Sequence, residues 1–126
     1  MGDLSRNFSR HEFACNCGCG LDTVDIETLD VLQDCCEYFS AFLAVDRVTA
    51  VVNSGCRCEG YNNQVGGSKN SQHVKCRAVD FRIVGVLPIN VHKYLDQKYP
   101  GKYGIGSYST FTHVDTRSGG PARWVG

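Results

Sequence analysis

Eight cysteines in 126 residues constrain this chain more tightly than any other feature. They stand at Cys15, Cys17, Cys19, Cys35, Cys36, Cys56, Cys58 and Cys76. An even, dense set of this kind favours an oxidising compartment and up to four disulfides cross-linking a modest core. Free thiols and a thiolate metal cluster around "CNCGCG" are the competing readings. Zinc-binding thiolates ordinarily come as C-x(2–4)-C, and the one-residue spacing here disfavours chelation by neighbouring thiolates. The count leaves the pairing open.

Charge and length narrow the classes further. Thirteen Lys and Arg cancel thirteen Asp and Glu, so no polyanion-attracting field forms and nucleic acid is not an expected partner. No apolar run approaches the roughly 20 residues of a membrane span, and the first residues lack the charged-then-apolar pattern of a signal peptide. The chain reads as a soluble monomer. Residues 1–126 make one domain, long enough to bury about two-thirds of the unfolded surface, and no repeat, linker or low-complexity stretch divides it.

Periodicity supplies the elements. Residues 1–21 are too rich in Ser, Asn, Gly and Cys for a regular element and read as an irregular lead-in. From a cap at Asp22 or Thr23, apolar residues Ile26, Leu29, Leu32, Cys36, Phe39 and Leu43 recur at threes and fours, which predicts an amphipathic helix to about Leu43. "RVTAVVNSG" is β-branched and ends in a turn signal, hence a strand. "CEGYNNQVGG" predicts a short helix closed by Gly66 and Gly67, then the polar loop "SKNSQH". In "RAVDFRIVG", Val79, Phe81 and Ile83 share one face and Ala78, Asp80 and Arg82 the other. Pro88 opens a second main helix that Pro100-Gly101 ends. "YGIGSY" and "FTHVDTR" read as strands, the latter with His113, Asp115 and Arg117 on one face, and "GGPARWVG" as loop. The sum is an α+β domain with a small antiparallel sheet and two main helices.

Asp80 lies mid-strand in an apolar run, and a buried carboxylate needs a partner to offset desolvation. It can pair with Arg77 or Arg82 on an exposed face. It can also join His73 and His113 as a metal site, because two imidazole nitrogens and one carboxylate oxygen make a three-ligand set that leaves a position for water. Spacing alone does not decide between these.

Several ordered blocks do carry a resemblance. "SQHVKCRAVD" resembles the S-x-H-x-x-G-x-A-x-D signature of the zinc D-alanyl-D-alanine carboxypeptidase family, with Ser71, His73, Ala78 and Asp80 on matching positions. "NSGCRC" resembles that family's S-G-Y-R block at Ser54, Gly55 and Arg57. "FTHVDTR" followed by "ARW" resembles the closing H-x-D segment of its short single-domain branch, as do "FACNCGCG" and "YNNQVGGSKNSQH". The blocks run in family order from about Leu4 to Trp124. The resemblance implies one zinc per chain held by His73, Asp80 and His113. It implies a fold shared with hedgehog-type domains, and bacterial cell-wall (peptidoglycan) peptides containing D-amino acids as substrate. Zinc would bring the pKa of its water near neutrality and polarise the scissile carbonyl. Arg57 offers a planar fork for a substrate carboxylate or a developing oxyanion, the alternative being a structural salt bridge. Ser71 is suited to bind substrate backbone or, equally, to cap its loop.

Two departures qualify the resemblance. Many family members carry an acidic general base three residues before the last histidine ligand. Here Thr110 stands there with Ser109 before it, and neither takes a proton from water near neutral pH. Asp115, about 7 Å along the strand from His113, is the nearest carboxylate and is expected either as base or as a hydrogen-bonding partner of a ligand. The other departure is a pair of cysteines, Cys76 in place of glycine and Cys56 in place of tyrosine. Set beside the same implied cleft, they suggest a disulfide with each other, with zinc ligation by Cys76 as the rival. His11 and His92 are expected to be solvated, Trp124 to close the core or the cleft rim, and Tyr103 and Tyr108 to pack or line the groove. The expected activity is zinc-dependent hydrolysis of peptidoglycan stem peptides, by carboxypeptidase or endopeptidase action. The alternative is a zinc-stabilised binding module of the same fold without turnover. The cysteines place the protein in an extracellular or other oxidising compartment; a phage endolysin made in the cytoplasm is the alternative.

Overall fold

Alternating apolar and polar residues in β2 (Ala78–Ile83) set the architecture, because that strand divides a packed core from an open cleft. Val79, Phe81 and Ile83 are buried on one face, while Asp80 points to the other and Arg82 is exposed. The structure, a computed structural model, describes residues 2–126. Around β2 lie β1 (Ala50–Ser54), β3 (Gly104–Ser107), β4 (Thr112–Asp115) and β5 (Ala122–Val125), with α1 (Ile26–Phe42), α2 (Glu59–Gln64) and α3 (Pro88–Lys98). The five strands form one sheet in the order β1-β2-β4-β3-β5.

Every pairing is antiparallel except β3 with β5, which is parallel. The sheet is therefore mixed, and the tail read from sequence as loop supplies the edge strand that makes it so. Arg123 anchors that strand, its guanidinium donating to the carbonyls of Tyr99 and Tyr103 and pairing with Asp96 at 2.6 Å. A four-residue edge strand after Gly-Gly-Pro has too little alternation to be seen in the sequence.

α1 begins at a cap formed by Asp25, whose carboxylate accepts the Glu27 N–H at 2.9 Å, three residues after the first expected cap. Leu29, Leu32, Cys36 and Phe39 face the core as the spacing requires, whereas Ile26 and Leu43 at the ends are exposed. Cys35 and Cys36 are fully buried; burial pushes the Cys36 thiol up to about 12, so both serve as small apolar core groups. The lead-in is less irregular than its composition suggests. A 3-10 turn at Arg10–Phe13 carries Phe13 into the core beside Phe8, both with no exposed surface. His11 is exposed, while His92 on α3 is half-buried, and that burial lowers its pKa.

Cys56 and Cys76 are bonded, 20 residues apart in sequence, and the other six cysteines are free. One disulfide thus stands where the count allowed four. Cys76 has φ +57°, in the left-handed region where glycine alone escapes a Cβ penalty. That backbone requirement accounts for glycine at this place in the resembled signature. In the loop-entropy picture, a cross-link closing about 20 residues contributes about 3 kcal/mol. Cys56→Ala/Cys76→Ala should lose about that much in denaturant unfolding, and Cys56→Ala/Cys76→Gly should recover about 1 kcal/mol of it. Equal stabilities for the two double variants would mean that position 76 carries no backbone penalty.

Candidate active site

The antiparallel register of β2 and β4 sets Asp80 directly opposite His113 and Ala78 opposite Asp115. Asp80 and His113 therefore share the sheet face away from the core, close enough for side-chain contact across the strands. His73 arrives from the loop before β2. Its carbonyl accepts the N–H groups of Arg57 and Cys76 at 3.0 and 3.1 Å, which fixes the loop against the turn after β1. All three side chains are nearly enclosed, and one donor atom from each lies within 4.8 Å of the others.

Hydrogen bonds settle which atoms face inward. His73 Nδ1 is 2.7 Å from the Gly55 carbonyl, an acceptor only, so that nitrogen carries the proton and Nε2 presents a lone pair. Nε2 lies 3.3 Å from Asp80 Oδ1. His113 reaches Asp80 Oδ1 through Nδ1 and Asp115 Oδ2 through Nε2, each at 2.8 Å. With its proton on Nε2 toward Asp115, His113 presents Nδ1 to the same point. Two nitrogen lone pairs and a carboxylate oxygen then converge with no donor among them, an arrangement that calls for a cation. The donor set and its outer partners match a three-ligand divalent metal site, and zinc suits two imidazoles and one carboxylate.

Asp115 has no exposed side-chain surface. Both its oxygens are engaged, by His113 and by the Arg117 fork at 2.7 Å on each side. Burial alone would raise its pKa, but Arg117 and His113 hold it well below the usual carboxylate range. This geometry makes Asp115 a hydrogen-bonding partner of His113 and leaves it no free oxygen to act as a general base. Asp80 is likewise held low against the effect of burial, here by the adjoining imidazoles of His113 and His73. Thr110 is exposed in the turn between β3 and β4.

Arg57 lies beside the three donors. Nη2 is 3.5 Å from Asp80 Oδ2, Nε donates to Ser54 Oγ at 3.1 Å, and Nη1 donates to Asn62 Oδ1 at 3.2 Å. Asn62, buried on α2, was not singled out from sequence, and its only signal there is an amide within the "YNNQVGG" block. A Cβ on Gly67 would strike its Oδ1, so this glycine admits the amide that orients Arg57. Ser71 Oγ accepts the His73 N–H at 3.2 Å, capping the loop, and Ser71 also lines the cleft.

The cleft holds about 520 Å³, with His73, Asp80 and His113 on its floor and Arg57, Tyr108 and Trp124 on its walls. Trp124 tilts over the His113 ring with centroids 5.0 Å apart, and its Nε1 donates to the Tyr108 hydroxyl at 2.9 Å. A Cβ on Gly106 would strike the indole. Trp124 thus forms the cleft rim, and Tyr108 lines the groove. Tyr103 is buried against the core instead, donating to Glu27 at 2.7 Å.

Fold and site together define a small α+β domain built around a candidate mononuclear metal centre at the floor of a cleft. The chain belongs to the peptidase M15 family, whose profile matches residues 6–115, and M15 peptidases are metal-dependent. It is 45% identical over 62 residues to a probable peptidoglycan L,D-endopeptidase, MepK, of Haemophilus influenzae, covering 48% of this chain and 32% of that protein. It is 37% identical over 75 residues to the peptidoglycan L,D-endopeptidase MepK of Escherichia coli K12, covering 56% and 40%. The chain thus spans well under half the length of the curated relatives it matches. No solved structure matches it.

If Asp115 fixes the His113 tautomer, Asp115→Asn should keep the fold and weaken metal binding by about 10- to 100-fold. Competition with a chromophoric chelator measures this, and unchanged affinity would reduce Asp115 to a packing role.

Proposed function

We propose that this chain is a metal-dependent peptidase that hydrolyses the stem peptides of peptidoglycan. The observation that carries the reading is the convergence of His73 Nε2, Asp80 Oδ1 and His113 Nδ1 at one point, with Arg57 beside them. His73, Asp80 and His113 would hold a divalent ion, zinc by their ligand chemistry, which would supply an acidified water and polarisation of the scissile carbonyl. The chain's own residues do the rest. Arg57, steadied by Ser54 and Asn62, directs N–H donors to a substrate carboxylate or to the oxygen that gains charge. Ser71 keeps its hydroxyl proton free for the substrate backbone while its oxygen caps the His73 loop. Trp124 and Tyr108 supply an amphipathic wall for the peptide. The names of the aligned relatives, both L,D-endopeptidases, favour cleavage within the peptide over removal of a terminal D-alanine. Such a substrate favours a site of action outside the cytoplasm, a setting in which a disulfide such as Cys56–Cys76 persists.

A second reading rests on a specific observation. Among the described residues, the only carboxylates lining the cleft, Asp80 and Asp115, are both engaged by cations or ligands, and no free general base stands beside them. A peptide-binding module without turnover would look the same. Incubation with purified peptidoglycan, with and without chelator, separates the two when soluble products are read by mass spectrometry. Chelator-sensitive release of stem-peptide fragments supports the peptidase; binding to the sacculus without release supports the module.

Arg57→Lys should retain the fold and the metal but lose about 10- to 100-fold in turnover. An ammonium keeps the charge but loses one of the fork's two directed, charge-assisted hydrogen bonds, worth about 1.5–3 kcal/mol. Thermal unfolding serves as the control, and full activity in this variant would make Arg57 a structural residue.

A further inference from the structure

A second cluster of ligating side chains lies outside the cleft. Cys15, Cys17 and Cys19 of the lead-in meet Cys58, the residue after Arg57, with their sulfurs within 4.8 Å of one another. Cys15 Sγ is 3.4 Å from Cys17 Sγ and 3.9 Å from Cys58 Sγ, and Cys17 Sγ is 3.7 Å from Cys58 Sγ. These separations are too long for a disulfide, at about 2.05 Å. They match a metal-centred tetrahedron: four sulfurs about 2.3 Å from a common zinc lie about 3.8 Å apart. We propose that Cys15, Cys17, Cys19 and Cys58 form a tetrathiolate site for a structural zinc ion, distinct from the centre in the cleft.

The backbone shows how one-residue spacing becomes chelating. In an extended strand, Cys15, Cys17 and Cys19 would share a face but stand about 6.6 Å apart at each step. Here Gly18 and Gly20 take φ +82° and +93°. Gly18 N–H donates to the Cys15 carbonyl at 3.1 Å, and Cys15 N–H to the Leu21 carbonyl at 2.7 Å. The segment coils on itself and its alternate thiols converge. A Cβ at either glycine would meet nothing, so it is the conformation, not space, that requires glycine. Cys58 closes the set, its sulfur accepting the Tyr61 N–H at 3.4 Å and so held at the start of α2.

Four sulfur donors without imidazole or carboxylate select a soft or borderline ion, and a closed shell of four thiolates is structural rather than catalytic. On loading, each thiol gives its proton to solvent. The site fastens the lead-in to the turn that carries Arg57, beside the hydrogen bond from Cys56 N–H to the Phe13 carbonyl at 3.0 Å. Thiolates held by zinc also resist disulfide formation, which reconciles free cysteines with an oxidising compartment.

The test uses the untagged chain purified anaerobically without chelator. Elemental analysis should give two zinc ions per chain rather than one. Exchange with cobalt(II) should give the intense near-ultraviolet sulfur-to-cobalt charge-transfer band of a thiolate site. His73→Ala/His113→Ala should keep that band and one metal, whereas Cys17→Ser/Cys58→Ser should lose the band and keep the metal of the cleft. Absence of the band in the parent protein overturns the proposal whatever the cleft holds, and it does not depend on any variant folding. Mapping these four residues into disulfides in freshly purified, unreduced protein overturns it equally.

Discussion

A carboxylate in the middle of an apolar strand is the constraint on which this structure turns. Asp80 has Val79 and Phe81 on either side, both buried in the core, so its own side chain must leave by the opposite face. Pairing with β4 then puts His113 across from it, and the loop before β2 returns His73 to the same point. A carboxylate enclosed to this degree is tolerated only when charge and hydrogen bonds replace water. The Arg57 guanidinium and the imidazoles of His73 and His113 all lie within 3.5 Å of its oxygens. The site follows from register: slipping β2 by one residue would bury Asp80 in the core and turn Val79 into the cleft.

The same logic extends outward. His113 is oriented by Asp115, which is held by the Arg117 fork, and Arg117 lies over the Trp124 ring at 5.5 Å. Trp124 sits where Gly106 leaves room for it and belongs to β5, the one parallel strand. The edge strand therefore does more than extend the sheet. It carries the aromatic wall of the cleft against His113, so an element invisible to periodicity shapes the groove.

What the sequence made legible is what repeats or pairs locally. The alternation in β2, the shared face of His113, Asp115 and Arg117, the three-four spacing of α1 and Pro88 at the start of α3 all appear as expected, because each is set within a few residues. The ordered motif blocks pointed to the three donors and to Cys56 with Cys76. Illegible were features made by long-range contact: the pairing of β5 with β3, the burial of Phe8 and Phe13 from a polar lead-in, and Asn62 as the brace of Arg57. The cysteine count misled for a related reason. Cys35 and Cys36 are free and buried on α1, where they serve as core residues.

The turn after β1 shows why so many constraints meet near Arg57. It is a loop, and a loop alone would leave a guanidinium free to wander by more than a catalytic or binding contact allows. On one side Cys56 is tied to Cys76 in the His73 loop. On the other, Cys58 joins the lead-in thiols and caps α2, whose Asn62 returns to hold Arg57 itself. Beneath, Gly55 lies so close to Phe13 that a Cβ would meet its carbonyl oxygen at 2.7 Å, and the Gly55 carbonyl fixes the His73 tautomer. Four consecutive residues thus each make a different attachment, and together they fix Arg57 and His73 relative to each other. The lead-in, far from the cleft chemistry in sequence, is the floor on which that alignment rests.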